Sequence, residues 1–270
     1  MKEIKAIQPH LHTTLADEKL QLAVYTATGR LVEKRKLTVA PDVLPDYQEL
    51  RQQANDLKRH AIEHLDYYLE EFERNLEARG GKVIWCRDGK DVVDFILGLA
   101  KRRQSKVIVK SKSMTTEEIH LNGHLEEHGL EPVETDLGEY ILQLSHDKPY
   151  HIVAPALHMT RYQVADLFEE KLDVPREEVP EKQTQIARAI LRQKFLEADI
   201  GISGANFLLA DSGSVVLVEN EGNARLSTTA PKVHIAIAGV EKIIPRAQDL
   251  ATFLKLLGRS ATGQPLTVYT

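Results

Sequence analysis

Apolar positions along the chain fall into two spacings. From Asp46 onward, Leu50, Ala54, Leu57, Ala61, Leu65, Tyr68, Phe72 and Leu76 recur at steps of three and four. That spacing predicts one long helix with a single apolar face, ended by Gly80-Gly81. Short apolar runs then alternate with helical patterns. Residues 83–86, 107–109, 132–134 and 151–154 read as strands. Between them, Asp88 caps a helix over Val92, Val93, Ile96, Leu97 and Ala100. Thr115 or Thr116 caps another through Ile119, Leu121 and Leu125, stopped at Gly129; Thr115 and Glu118 have capping-box spacing. A helical turn follows Asp136, and residues 161–171 form a further helix.

The pattern changes after residue 175. A helix covers 183–198. Apolar runs at 205–210 and 214–219 flank Asp211-Ser212-Gly213, a hairpin signal. Residues 233–238 read as a strand, 250–257 as a short helix stopped at Gly258, and 266–269 as a last strand. Residues 1–45 carry no clear period, and Pro41 and Pro45 mark a break. The expected organisation is an N-terminal arm (1–45) and one α/β domain (46–270). The domain divides into the long helix (46–79), an alternating part (80–175) and a helix-plus-hairpin part (176–270). Strands alternating with helices predict a mostly parallel sheet with helices on both faces, joined to a second part rich in β-hairpin.

Composition narrows the function classes. The 270 residues are 42% hydrophobic and 28% charged, an ordinary globular balance. A net charge of −5 argues against a nucleic-acid partner; the basic clusters 34–36 and 101–103 are short and read as solvated ends or loops. Cys86 is the one cysteine, so neither an internal disulfide nor an iron–sulfur ligand set is available. Its neighbours Val83-Ile84-Trp85 suggest a buried strand thiol. The N-terminal segment has no apolar signal core, and no run reaches the roughly 18 apolar residues of a membrane span. A cytoplasmic protein is expected.

Candidate chemistry gathers where predicted strands end in polar residues, because ligands of parallel α/β sheets bind beyond the carboxyl ends of strands. After 107–109 come Lys110, Ser111, Lys112, Ser113 and Thr115. Lys110, Lys112, Ser113 and Thr115 suit an anion at a helix N-terminus; a capped polar loop is the plainer alternative. There is no glycine-rich phosphate loop, which argues against a nucleoside triphosphate. After 132–134, Glu134 and Asp136 are candidate proton-handling acids, or a salt-bridge partner and a cap. After 151–154, His158 can shuttle a proton and Arg161 can clamp a carboxylate; a helix-start histidine and a surface arginine are the alternative. The fourth end is "SVVLVENEGNARLSTTAP", where a strand runs straight into charge. Glu219 and Glu221 are candidate catalytic acids there, and Asn206, Asn220, Asn223 and Arg225 candidate binding residues. His120, His124 and His128 share one helix face, and His60 and His64 are also four apart. Ile119, Asn122 and Leu125 define a different face, so the three histidines point to solvent and no metal site is expected.

The segments "VKSKSMTTEEIHLNGHLEEHG", "VETDLGEYILQL", "GISGANFLLADSGSVVLVENEGNARLSTTAPKVHIAIAGVEKIIP" and "GRSATGQPLTVYT" resemble, in order, the lactate utilization protein B family and its N-terminal LUD domain. The resemblance covers most of the chain from about Asp46. It implies a fold similar to the sugar-phosphate isomerase and CoA-transferase-like fold, in agreement with the alternation above. It also implies a role in a three-component, nicotinamide-independent system that oxidises L-lactate to pyruvate. Family members hold iron–sulfur clusters in a ferredoxin-like region that this sequence lacks. No cofactor is therefore expected in this chain, and clusters are expected only in that region or in partner subunits. Glu219 departs from the family pattern, where a smaller polar residue is expected; Asp211 and Ser203 are conservative departures. Motifs carry over, not residue roles. The chain is expected to be redox-inactive alone. Three readings stand: a module binding a small carboxylate or other anion, a docking module for other subunits of a lactate-oxidising complex, or an acyl- or CoA-transfer enzyme with a covalent carboxylate at Glu219 or Glu221.

Overall fold

The computed structural model describes residues 15–147 and 155–270. The expected strand at 151–154 lies outside the described residues. Helices α1 (Glu18–Thr38), α2 (Tyr47–Glu63) and α3 (Leu65–Glu77) precede the sheets. Sequence periodicity missed α1, whose apolar residues are spread around the helix and largely exposed. Asp17 caps it by accepting from the Leu20 N–H at 3.0 Å. The single long helix expected from Asp46 is broken at His64, whose backbone leaves helical geometry and whose ring turns back onto the His60 carbonyl at 3.0 Å. The break lets Ala61 of α2 and Phe72 of α3 bury against the same cluster.

Helix α4 (Gly89–Arg103) starts at Asp88, which accepts from the Asp91 N–H as expected. Residues 83–86 form no strand. They find no ladder partner among the described residues, and Ile84 and Trp85 are half exposed. Cys86 is accordingly half-buried rather than buried, with its thiol pushed up by partial desolvation.

Strand β1 (Val107–Lys110) leads to α5 (Met114–Glu118), α6 (Leu121–Glu127), β2 (Glu131–Glu134) and α7 (Leu137–Ser145). The capping box at Thr115 does not form. Ser113 occupies the cap position, the Thr116 hydroxyl donates to its carbonyl at 2.8 Å, and the helix breaks at His120, which has a left-handed backbone. Helices α8 (Arg161–Leu172) and α9 (Pro180–Glu197) follow; a capping box between Thr160 and Gln163 starts α8. Then come β3 (Ile200–Ser203), β4 (Phe207–Leu209), β5 (Ser214–Val216), α10 (Asn223–Thr229), β6 (Val233–Ala236), β7 (Ile243–Ile244) and α11 (Leu250–Thr262). Helix α11 passes the expected stop at Gly258 and ends at Gly263, which takes the left-handed conformation. The expected last strand reduces to one bridge between Glu219 and Tyr269.

Two sheets result. The first is fully parallel, in the order β2-β1-β3-β6. Ile108, Ile200 and Ile202 on one face pack with Val93, Ile96 and Ala100 of α4 and Leu121 and Leu125 of α6. Val109 and Val133 on the other pack with α7, α8 and α9. Each fully buried isoleucine contributes roughly 1.5–3 kcal/mol over an exposed one. Helix α10 also lies on this second face, and Gly201 admits it: a Cβ there would sit 1.8 Å from the Ser227 carbonyl oxygen. The second sheet, β5-β4-β7, holds the expected hairpin, with β4 and β5 antiparallel and β7 parallel to β4. Helices α2, α3 and α11 cover it.

Candidate functional site

The chain leaves β1 toward β2 on one side, and β3 toward β6 on the other. Strand order therefore reverses between β1 and β3. A crevice opens at the carboxyl ends of strands at such a reversal, where ligands of α/β folds bind. The loops that meet there are residues 111–113, 135–136 and 204–206. Gly204 lets two of them touch, since a Cβ on it would lie 2.8 Å from the Ser113 hydroxyl.

Two lysines enter this region with different fates. Lys110 is 1% exposed. Its Nζ reaches Glu134 Oε1 at 2.6 Å and Asn122 Oδ1 at 2.7 Å, and the Asn122 amide donates to the same Glu134 oxygen at 2.8 Å. The pair faces across the β1–β2 ladder in register. Buried charges need such mutual satisfaction, so Lys110 and Glu134 are committed to one another. Lys112, two residues on, is past the strand. Its Nζ lies 3.5 Å from Glu139 Oε1, and neither atom has a hydrogen-bond partner among the described residues although both are shielded from solvent.

Glu139 carries the most perturbed acid of the crevice. It is 7% exposed, in the first turn of α7. Burial, then the neighbouring Glu117, push its carboxyl up to about 7, against the pull of Lys112. Glu117 is raised too, by burial and by Glu134. Asp136 caps α7, accepting from the Glu139 N–H at 3.1 Å. Glu221 is raised by desolvation and by Asp136, while the Leu137 backbone amide holds it down. As a residue Glu221 is exposed, so its shift counts for less than that of the enclosed Glu139.

The remaining sequence candidates stand elsewhere or serve the fold. The Glu219 carboxylate accepts from the Ala224 N–H at 2.7 Å and the Arg225 N–H at 3.2 Å, bonding the N-terminal end of α10. The Arg225 guanidinium sits 4.6 Å over the Tyr269 ring. Asn206 accepts from the Val218 N–H at 2.8 Å and pins the hairpin; Asn220 accepts from Val268 N–H at 3.4 Å. Asn223 is the first residue of α10. His158 Nε2 lies 2.8 Å from Asp147, beyond the end of α7. Arg161 is exposed and stacks on Tyr162, its Cζ 4.8 Å from that ring. Thr115 is half-buried on α5, two residues after the cap residue Ser113. Of the anion set, Lys112 and Ser113 face the crevice loops while Lys110 is locked below them.

Sequence reasoning missed Glu139, Glu117 and Asn122. Glu139 stands three residues after the cap Asp136, a position usually solvated, and nothing local in the sequence marks it as buried. His120, His124 and His128 are exposed, and among the described residues no cluster of histidine, cysteine and acids has metal-binding geometry. The single thiol of Cys86 cannot supply the ligands of an iron–sulfur cluster. Among the described residues no helix is long and apolar enough to cross a membrane.

Comparison with known proteins matches this architecture to one family. The model of the LUD domain matches residues 69–270. Lactate utilization protein B of Bacillus pumilus (strain SAFR-032) is 46% identical over 98% of this chain and 56% of its own length. The Bacillus licheniformis protein of that name is 48% identical over 94% of this chain and 53% of its own, and that of Bacillus subtilis (strain 168) 46% over 98% and 55%. The chain thus spans about half the length of the curated relatives it matches. No solved structure matches it significantly. The match of the LUD domain model over residues 69–270, together with these relatives, shows that the chain belongs to the LUD domain family.

Proposed function

We propose that this chain is the LUD domain of a lactate-utilization protein and that its crevice binds a small carboxylate beside an exchangeable proton. The observation that carries the reading is the Lys112–Glu139 pair, two shielded polar groups 3.5 Å apart with no hydrogen-bond partner among the described residues. Leaving a buried donor unsatisfied costs roughly 1–3 kcal/mol, and more when it is charged. A ligand carboxylate accepting from Lys112 removes that cost. Glu139, near 7, gains or loses its proton around neutral pH, the range in which a general acid or base works best. L-Lactate and pyruvate both place an oxygen one carbon from a carboxylate, so either presents an acceptor to Lys112 and a second oxygen to Glu139. The relatives' name, lactate utilization protein B, agrees with the first of these compounds. The residues of this chain bind and move a proton; electron transfer falls to iron–sulfur partner subunits or to the further region of the longer relatives.

Acids outnumber free cations in the crevice, so the anion enters the form in which Glu139 keeps its proton. Binding is therefore expected to take up a proton and to weaken as pH rises through 7. Calorimetry with L-lactate and with pyruvate, at pH 7 in buffers of different ionisation heat, measures both affinity and proton uptake. Lys112→Met is expected to abolish binding while leaving the fold at least as stable. If wild-type protein binds neither compound, or Lys112→Met binds as well as wild type, the reading is wrong.

A further inference from the structure

The segment after α11 is bonded to the Glu219–Asn223 loop, which walls the crevice where the Glu221 carboxylate accepts from the Leu137 N–H beside Asp136. Among the described residues, none of 266–270 belongs to an apolar cluster, and Leu266 and Val268 are exposed. Yet the Glu219 N–H donates to the Tyr269 carbonyl at 3.2 Å, and the Tyr269 N–H returns to the Glu219 carbonyl at 3.1 Å. The Tyr269 ring lies under the Arg225 guanidinium, and the Val268 N–H reaches the Asn220 side chain. Glu219 in turn holds the first N–H groups of α10. One turn into α10, Ser227 meets Thr135 hydroxyl to hydroxyl at 3.2 Å, in the loop that begins α7 and carries Asp136 toward Glu139. A continuous line of contacts therefore runs from Tyr269 through α10 to the crevice.

We infer that residues 266–270 are a strap over the Glu219–Asn223 loop, with Tyr269 and Arg225 as positioning residues that hold this wall closed across the Lys112–Glu139 crevice. Its purpose rests on the ligand-site reading above, but its test uses no ligand. A cation over an aromatic face and one pair of backbone hydrogen bonds form a weak, reversible fastening. The strap can thus open without unfolding the sheets, and ligand access depends on how firmly this segment is held.

Two measurements on the full 270-residue chain test the inference. Hydrogen–deuterium exchange follows the backbone of residues 219–230, and acetylation by an N-hydroxysuccinimide ester, read by mass spectrometry, follows Lys112 against Lys110. Lys110 lies in the buried triad and reports opening of the whole domain. Tyr269→Ala is expected to speed exchange at Ala224 and Arg225 roughly two- to fivefold, the loosening expected from losing one exposed cation–π contact, and to raise the labelling of Lys112 but not of Lys110. Arg225→Ala is expected to do the same without altering the tail, and Tyr269→Phe, which keeps the ring, to behave as wild type. Exchange and labelling unchanged in Tyr269→Ala would overturn the strap. So would equal labelling of Lys110 and Lys112 in both alanine variants, because the effect would then be global. Since no ligand enters either measurement, a failure to bind lactate or pyruvate leaves this result readable.

Discussion

Replacing Glu139 by glutamine turns the enclosed carboxyl into a group that is neutral at every pH. In the folded chain the Glu139 carboxyl is raised from 4.5 to about 7, chiefly by burial. The folded state therefore holds that proton more tightly than the unfolded chain does. The stability this proton contributes is fully present below the unfolded value of 4.5, and it is lost as pH rises through 7. Its full size is about 3 kcal/mol, from 1.36 kcal/mol for each pH unit between the two values. Because the side chain is only 8% exposed, solvent screening does little to reduce the figure. Between pH 5 and pH 8 the linkage relation gives about 2.5 kcal/mol of that change. Glu139→Gln escapes the loss, so its stability relative to wild type should improve by about that amount from pH 5 to pH 8. Urea unfolding followed by far-ultraviolet circular dichroism at pH 5, 6, 7 and 8 measures it, with linear extrapolation to water. A difference that stays flat with pH, within about 0.5 kcal/mol, would refute the claim that Glu139 is a buried acid poised near neutrality.

Three further outcomes follow from the geometry. Lys110→Met leaves the Glu134 carboxylate buried without its cation, which should cost roughly 3–5 kcal/mol in urea unfolding; adding Glu134→Leu should restore more than half of it. Gly201→Ala forces a methyl against the Ser227 carbonyl and Pro231, and should lower stability by roughly 2–4 kcal/mol while speeding amide exchange in α10. Thr160→Ala removes a capping box that shares no hydrogen bond with the Lys112–Glu139 pair and should cost about 1 kcal/mol; calorimetry should find any lactate or pyruvate affinity unchanged.

Elements whose signal is local were legible in the sequence. Asp88 and Asp136 cap the helices expected of them, and 211–213 turns the expected hairpin. Val107–Lys110, Glu131–Glu134 and Val233–Ala236 are strands where apolar runs required them. What failed depends on partners distant in sequence. Residues 83–86 have the composition of a strand but no pairing neighbour among the described residues. The break at His64 follows from two helix segments reaching one apolar cluster, which a continuous period conceals. The site divides along the same line. Lys112 and Asp136 could be placed at strand ends by counting residues. The commitment of Lys110 to Glu134 and Asn122, and the enclosure of Glu139, come from ladder register and from the face of α7 turned inward. Glu219 looked like free acid at a polarity switch; only the fold reveals that its carboxylate is spent on the first amides of α10.

The contact between Gly204 and Ser113 closes two of the strand-end loops on each other through a hydrogen atom and a hydroxyl. The two sides of that contact are not equally free to change. Any side chain at residue 204 must displace Ser113, so position 204 has no smaller residue to turn to and no room for a larger one. Residue 113 can still shrink, to alanine or glycine. Variation that opens space between these loops is therefore available at position 113 and closed at position 204.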